Sequence, residues 1–254
     1  MLALIAVFGL VVGSFLNVVI LRTPAGESVV VGRSHCTSCG ETLSWWENVP
    51  LISWLALRGR CSHCRSPISA RYPLIESSTM VLWMLLWRLT EPGDIADISR
   101  FVLLASTASI LLAATWTDLD TGLIPNALTL PSTLITVELV ILCAILAPND
   151  GGFTRGAVVG ALAYTLPIAL FALFGGMGMG DAKLAPLLGM TLGALGIEYL
   201  AVGMVAPWFL ALPAAIRVMR TSRRAKLVFG PALAAGWLVA VIAGPQIVRL
   251  WLRA

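Results

Sequence analysis

Long apolar blocks restrict the fold of this chain more than any other feature. A bilayer core needs roughly 20 apolar residues per spanning helix. Eight stretches approach or meet that length: Met1–Leu21, Pro73–Leu89, Phe101–Thr117, Leu128–Leu146, Gly156–Phe174, Leu184–Ile197, Tyr199–Ile216 and Leu227–Val248. Only 12% of the residues are charged, about half the usual share of a soluble domain. The sequence predicts an all-α polytopic membrane protein with about eight transmembrane helices.

Two of the predicted spans are unusual. The sixth is short, and it either stands alone or joins the seventh in a tight hairpin around Glu198. The first lacks both the basic region and the small-residue cleavage site of a signal peptide. We therefore expect the first span to persist as a helix.

The positive charge is concentrated in two loops, and it predicts the orientation of the chain. One basic loop is the segment 22–72 and the other precedes the last span: Arg22, Arg33, Arg58, Arg60, Arg65 and Arg71 in the first, and Arg217, Arg220, Arg223, Arg224 and Lys226 in the second. The loop between spans two and three is acidic, with Glu91, Asp94 and Asp97. Basic loops stay in the cytoplasm. We therefore expect an extracytoplasmic N-terminus and a cytoplasmic segment 22–72. Because these basic residues lie in loops between apolar spans, they indicate orientation and not nucleic-acid binding.

Four of the five cysteines form two CxxC pairs inside the first basic loop. Cys36 and Cys39 are separated by 21 residues from Cys61 and Cys64, a spacing typical of a tetrahedral zinc site with four thiolate ligands. Disulfides are disfavoured because the loop faces a reducing compartment. A loop this small buries little core, so a bound Zn²⁺ would stabilise it.

Three other residues could take part in metal binding by their type. His35 and His63 flank the cysteine pairs and are interpreted as solvated neighbours, although either is able to replace a ligand or to support one. Cys143 lies in an apolar span and is interpreted as a packed thiol. The predicted organisation is a first transmembrane helix at 1–21, a zinc-loop domain at 22–72 and a transmembrane core at 73–254.

Aspartates follow the third predicted span and precede the sixth. Asp118 and Asp120 come first, and Asp181 lies in the sequence Gly178-Met-Gly180-Asp181. Because two crossings separate these segments, the carboxylates return to the same side of the membrane. Two adjacent carboxylates share a proton and are able to act as acid and base on a peptide bond. The alternative is that these residues have structural roles only. Asp181 would then cap a helix that begins at Ala182, and Asp118 and Asp120 would be turn residues.

Two further hypotheses remain open on residues alone. Glu138 lies in the middle of the fourth span, where an ionisable group indicates a functional role such as a proton or ion path. It favours an ion-coupled transporter, unless the protonated group simply bonds to a neighbouring helix. The other hypothesis is a membrane-anchored zinc adaptor with inert aspartates. The glycines before Asp181 do not form a dinucleotide-binding motif, because no strand precedes them.

The motifs together resemble type IV prepilin peptidases. Besides the cysteines, the likeness rests on five blocks that extend over nearly the whole chain: Gly13-Ser-Phe-Leu-Asn17, Glu47 to Cys61 with Arg71 to Glu76, Asp118 to Asn126, Gly178 to Lys183, and more weakly Phe229-Gly230-Pro231. The likeness implies an intramembrane aspartic protease whose catalytic pair is Asp118 and Asp181. Asp118, unlike Asp120, has the family's spacing of seven residues to Pro125. Gly178, Gly180 and Lys183 would support the pair.

The same resemblance implies the substrate and the cofactors. Such enzymes of the bacterial inner membrane remove a short basic leader from type IV prepilins or type II secretion pseudopilins at the cytoplasmic face. Members with the cysteine loop also N-methylate the new terminus with S-adenosyl-L-methionine, so a bifunctional enzyme is implied. No residue is assigned to the methyl donor, and the oligomeric state is open. Thr37 and the segment Phe174-Gly-Gly depart from the usual pattern without changing this expectation.

Overall fold

The computed structural model describes residues 1–174, 177–221 and 228–253. The described residues are helical with connecting turns, and they contain two isolated β-bridges but no longer strand. The helices are α1 (Leu2–Ala25), α2 (Ile52–Ala56), α3 (Arg71–Thr90), α4 (Ile95–Thr121), α5 (Asn126–Leu146), α6 (Gly151–Leu173), α7 (Met179–Leu195), α8 (Ile197–Thr221) and α9 (Gly230–Trp251), with a short 3₁₀-helix at Trp45–Asn48. The predicted all-α class is confirmed.

Each of the eight predicted spans corresponds to one long helix. Among the described residues, six helices are long and apolar enough to cross a membrane: α1, α4, α5, α6, α8 and α9. The other two are α3, which carries Glu76 and Arg88, and α7, which has 17 residues. Spans six and seven are separate helices, α7 and α8, and Gly196 (φ 136°) alone connects them, two residues before Glu198.

The helix ends extend beyond the apolar blocks. The third predicted span continues through Asp118 to Thr121, where Gly122 ends α4 in the left-handed conformation (φ 66°). The sixth begins five residues early, at Met179 instead of Leu184. Hydropathy misses these turns because they are rich in polar residues and glycine. The predicted start of the last span, Leu227, lies outside the described residues, as do Arg223, Arg224 and Lys226.

The chain divides into two compact units, residues 1–89 and 90–254. In the first unit, α1 and α3 pack with their backbones close together. A Cβ added at Gly9 would lie 2.7 Å from Met80 Cα, and one added at Gly13 would lie 2.6 Å from Glu76 Cα. Glycine is therefore required where these two helices cross. The Asn17 side-chain amide donates hydrogen bonds to the Gly13 carbonyl within α1 and to the Tyr72 carbonyl of α3, and the second bond joins the two helices.

In the second unit, α6 and α7 make the closest helix contact. The glycines at their crossing are Gly156 and Gly160 on α6 and Gly189 and Gly193 on α7, and each faces the backbone of the opposite helix. Both pairs have the GxxxG spacing that lets membrane helices approach closely. Elsewhere in this unit the Trp237 indole donates to Thr191 Oγ1 over 3.0 Å.

The outward faces of these helices are apolar. Leu162, Leu166 and Leu170 on α6 are more than half exposed. Large exposed apolar side chains along a helix of this length are expected where the surroundings are lipid. The helices form a multi-pass membrane protein.

Candidate functional site

The four cysteines of the CxxC pairs converge on one point in the first unit. The Sγ atoms of Cys36, Cys39, Cys61 and Cys64 all lie within 4.8 Å of one another, and those of Cys36 and Cys64 are 3.9 Å apart. Zn–S bonds of about 2.3 Å in a tetrahedron place the sulfurs about 3.8 Å apart. The cluster therefore fits a structural Zn²⁺ with four protein ligands and no open position.

The first cysteine pair lies in a tight turn that favours the thiolate form of Cys36. The Cys36 amide donates a hydrogen bond to the Glu41 carbonyl over 2.9 Å, and the Gly40 amide donates one to the Cys36 carbonyl over 2.9 Å. Gly40 has φ 73°, which glycine adopts without strain. Hydrogen bonds from the Cys39 and Ser38 amides lower the pKa of Cys36 to about 6. A lowered pKa favours the deprotonated form that binds the metal.

The second cysteine pair repeats this turn. The Cys61 amide donates to the Ser66 carbonyl over 2.9 Å, and the Arg65 amide donates to the Cys61 carbonyl over 3.1 Å. Arg65 has φ 61° and takes the place that Gly40 has in the first turn. The Ser66 hydroxyl, 3.1 Å from the Cys64 sulfur, lowers the pKa of Cys64. The two turns are thus equivalent halves of one metal site.

Glu47 supports the second turn from the 3₁₀-helix. Its Oε1 accepts a hydrogen bond from the Ser62 hydroxyl over 2.5 Å, and its Oε2 accepts one from the Ser44 amide over 2.7 Å. The Ser62 hydroxyl and the Ser44 amide lower the pKa of Glu47. The carboxylate therefore holds Ser62, inside the Cys61–Cys64 pair, against the 3₁₀-helix. Sequence reasoning placed Glu47 only in a resemblance block, because its partner lies 15 residues away.

The fifth cysteine and the two histidines lie outside the four-cysteine group. His35 and His63 are exposed and do not belong to the four-cysteine group. Cys143 is buried in a cluster that includes Leu103 and Phe153. The interpretation of Cys143 as a packed thiol is confirmed.

Asp118 is buried near the end of α4, with 5% of its surface exposed. Its Oδ2 accepts a hydrogen bond over 2.9 Å from the amide of Gly230, the first residue of α9. A helix N-terminus stabilises negative charge on the group to which its amides point. Asp120, two residues further along, is exposed. The environment therefore separates two carboxylates that the sequence left nearly equivalent.

Asp181 is buried in the first turn of α7, with 6% of its surface exposed. Its Oδ1 has no hydrogen-bond partner within the part of the chain that the structure describes. The alternative that Asp181 caps a helix beginning at Ala182 is wrong, since α7 begins at Met179 and Gly178 is its N-cap. A buried carboxyl oxygen without a partner is costly in a purely structural role.

The first turns of α7 contact the α4–α5 turn, which places Asp181 at the same end of the second unit as Asp118. Gly180 packs on the turn after α4, where an added Cβ would lie 2.8 Å from Ile124 Cβ. Lys183 donates a hydrogen bond to the Asn126 side chain at the start of α5. Gly180 and Lys183 thus join the start of α7 to the α4–α5 turn, whereas Gly178 lies beside the Asp181 carboxyl. Gly175 and Gly176 of the departing segment lie outside the described residues.

Glu138 is exposed on the surface of α5. An ion path through the protein would instead require an ionisable group in the helix-bundle interior or in a water-filled cavity.

Comparisons with known proteins place the chain among characterised relatives. Residues 7–89 match the model of the bacterial peptidase A24 N-terminal domain, and residues 105–219 match that of the type IV leader peptidase family. The prepilin leader peptidase/N-methyltransferase of Burkholderia pseudomallei is 38% identical, over 92% of this chain and 83% of the relative. Proteins with the same name from Aeromonas hydrophila and Neisseria gonorrhoeae are 35% and 34% identical, over 98% and 93% of this chain and 93% and 88% of the relatives. No solved structure matches the chain. The matches give the transporter hypothesis no support.

Proposed function

Because this chain belongs to the type IV leader peptidase family, we propose that it removes the short basic leader from type IV prepilins or type II secretion pseudopilins by aspartyl catalysis. It then N-methylates the new terminal residue. The observation that carries the peptidase proposal is the pair of buried carboxyl groups at the ends of α4 and α7. One carboxyl oxygen of Asp118 is held by a helix N-terminus, and one of Asp181 has no partner among the described residues.

The surroundings of the two aspartates favour different roles. Asp118 is the base, because the amide of Gly230 stabilises its negative charge. Asp181 holds the proton, because it is buried and none of the described residues donates a hydrogen bond to its Oδ1 to stabilise a negative charge. Asp118 removes a proton from water, and the resulting hydroxide attacks the carbonyl carbon of the substrate. Asp181 donates its proton to the carbonyl oxygen, which gives a gem-diol intermediate. When the C–N bond breaks, Asp118 passes its proton to the leaving amine and a hydroxyl of the intermediate returns a proton to Asp181, so both groups regain their starting states.

The membrane position of the pair suits a substrate with a basic leader and an apolar helix. The apolar helix lies beside the transmembrane helices while the leader stays in the cytoplasm. The bond between them then reaches the membrane surface, where water is available. This geometry requires the active site and the zinc loop to face the cytoplasm and the N-terminus to face the other side. The distribution of arginines supports that orientation.

Zn²⁺ stabilises the loop and takes no part in cleavage in this proposal. The four cysteines complete its coordination, so no position remains for water or substrate. S-adenosyl-L-methionine is the methyl donor that the family resemblance implies.

The test is incubation of the purified protein with a prepilin and S-adenosyl-L-methionine, followed by mass measurement of the product. We expect loss of the leader mass and gain of one methyl group. Asp118→Asn and Asp181→Asn should each lower the cleavage rate at least about 1,000-fold, because each removes one carboxyl group of the pair. Asp120→Asn is the matched control and should keep nearly full activity, since Asp120 is exposed.

A second substrate separates lost chemistry from lost folding. A pilin that already lacks its leader needs only methylation, so both catalytic variants should still methylate it. Cleavage at the normal rate by either variant would contradict the assignment of the pair.

A further inference from the structure

A cavity of about 210 Å³ lies between α6 and α8 in the second unit. Its lining residues are Tyr164, Pro167, Ile168, Phe171, Met204 and Trp208. Tyr164 and Ile168 are almost completely buried, whereas Phe171 and Trp208 are 50% and 41% exposed. The cavity therefore has a buried floor and an accessible aromatic rim.

None of the described residues that line the cavity has a charged side chain. The one hydroxyl, on Tyr164, already donates to the Gly203 carbonyl over 2.9 Å. A dry cavity of about 150 Å³ is large enough to bind benzene. This larger cavity thus has the volume and chemistry for one bulky apolar side chain, and offers a water molecule no free polar partner.

A chain of aromatic contacts connects the cavity with the aspartates. The rings of Phe171 and Trp208 have centroids 5.2 Å apart, and those of Trp208 and Phe229 are also 5.2 Å apart. Phe229 directly precedes Gly230, whose amide bonds to Asp118. One wall of the cavity is therefore continuous with the segment that holds a proposed catalytic carboxylate.

We propose that this cavity is a substrate subsite that binds one bulky apolar side chain from the segment following the cleaved bond. The inference rests on the proposed function, since that function places an apolar helix directly after the leader. Occupancy of the cavity fixes the register of the apolar segment, so that the bond before it lies at the aspartates. A lipid acyl chain is the competing occupant. If it fills the cavity, kcat/KM for leader removal should not depend on any single apolar side chain of the substrate.

The test pairs a filled cavity with truncated substrates. Met204→Trp puts a larger side chain into the cavity, and Val205→Trp is the matched control, because Val205 is 53% exposed and does not line the cavity. The substrates are a prepilin and five versions in which one of the first five apolar side chains after the cleaved bond is changed to alanine. The measurement is kcat/KM for leader removal in detergent, with the thermal-unfolding midpoint of each enzyme.

For the unaltered enzyme and Val205→Trp, we expect one alanine substrate to lose about tenfold or more in kcat/KM. Met204→Trp should lose about as much on the parent prepilin, and nothing further on that alanine substrate. Equal loss on all substrates, or no loss on any, would overturn the proposal and favour a lipid in the cavity.

Two further results keep the test decisive. If Met204→Trp does not fold, Met204→Ala replaces it. This variant enlarges the cavity and should shift preference at the same substrate position toward a larger side chain, and unchanged preference would overturn the proposal. Failure of the proposed function is a separate result, because it would appear as cleavage by Asp118→Asn or Asp181→Asn, which leave the cavity unaltered.

Discussion

Asp118 and Asp120 are two residues apart in the sequence, yet Asp118 is buried and accepts a hydrogen bond from Gly230 of α9, whereas Asp120 is exposed. Their spacing to Pro125 distinguished them through family resemblance alone. The physical distinction comes from Gly230, which is 112 positions away and belonged to the weakest of the resemblance blocks. Local sequence does not contain such a partner, because α4 and α9 meet only after the bundle folds.

At the residue scale, we predict that Gly230→Ala impairs cleavage. The added Cβ would lie 2.7 Å from Asp118 Oδ2 and 3.3 Å from its Cγ, so the carboxyl group must move. A displacement of about 1 Å at a catalytic group lowers the rate by up to about 100-fold. The measurement is kcat for leader removal, beside the thermal-unfolding midpoint.

The matched control is Gly151→Ala, which also changes the first residue of a helix. An added Cβ there has no neighbour within 4 Å in the described part of the chain, so activity should be unchanged. Equal kcat values for Gly230→Ala and the unaltered enzyme would show that the Gly230–Asp118 contact does not position the carboxylate.

At the element scale, the contact between α6 and α7 decides where Asp181 lies. Hydropathy identified both helices, but it does not show which faces meet. The GxxxG spacing of Gly156 with Gly160, and of Gly189 with Gly193, is visible in the sequence and was not used. It is the signal that would have predicted this pair of neighbours. Because Asp181 is in the first turn of α7, this packing also positions a proposed catalytic group.

We predict that Gly160→Ala destabilises the second unit. Its added Cβ would collide with the Gly189 carbonyl, and backbone cannot move aside as a flexible side chain does. Overpacking of this kind costs about 1–3 kcal/mol. The unfolding midpoint in detergent should fall and leader removal should slow. Gly151→Ala, on the same helix but away from the crossing, should change neither. A midpoint equal to that of the unaltered protein would contradict the close contact.

The two cysteine turns are a second example at this scale. The spacing of the cysteines predicted the ligands, but it did not reveal that the turns are equivalent or that Glu47 holds one of them. Those contacts depend on the loop between the pairs, whose short 3₁₀-helix and α2 carry no periodic apolar signal.

We predict that Cys36→Ser and Cys61→Ser each lower bound zinc and expose the segment 22–72 to proteolysis. The two variants should be equally affected, because each removes the first ligand of an equivalent turn. Zinc per chain is measured by mass spectrometry after gel filtration. Cys143→Ala removes a thiol outside the cluster and should keep all the zinc. Full zinc content in either serine variant would contradict the four-cysteine site.

For the whole molecule, apolar length and charge were enough to predict the helical class and the sequence of long helices. The helix ends were missed where polar residues continue the helix, as at Asp118, and where glycine begins it, as at Met179–Gly180. Both aspartates lie in such missed turns. A carboxylate at a helix end reaches both the membrane surface and the bundle interior, so the turns that hydropathy excludes are those that the proposed chemistry needs.

The orientation of the whole molecule gives the last prediction. Most arginines lie in the segment 22–72 and before the last span, and the loop after α3 is acidic, so basic segments should face the cytoplasm. Glu27→Cys and Gly93→Cys place thiols at exposed positions in the first basic loop and in the acidic loop. In spheroplasts, a membrane-impermeant maleimide should label Gly93→Cys at once, and Glu27→Cys only after the membrane is permeabilised. The unaltered protein is labelled in parallel, and its signal gives the background from the native cysteines. Immediate labelling of Glu27→Cys above that background would place the zinc loop outside, away from any cytoplasmic leader, and would contradict the proposed position of the substrate.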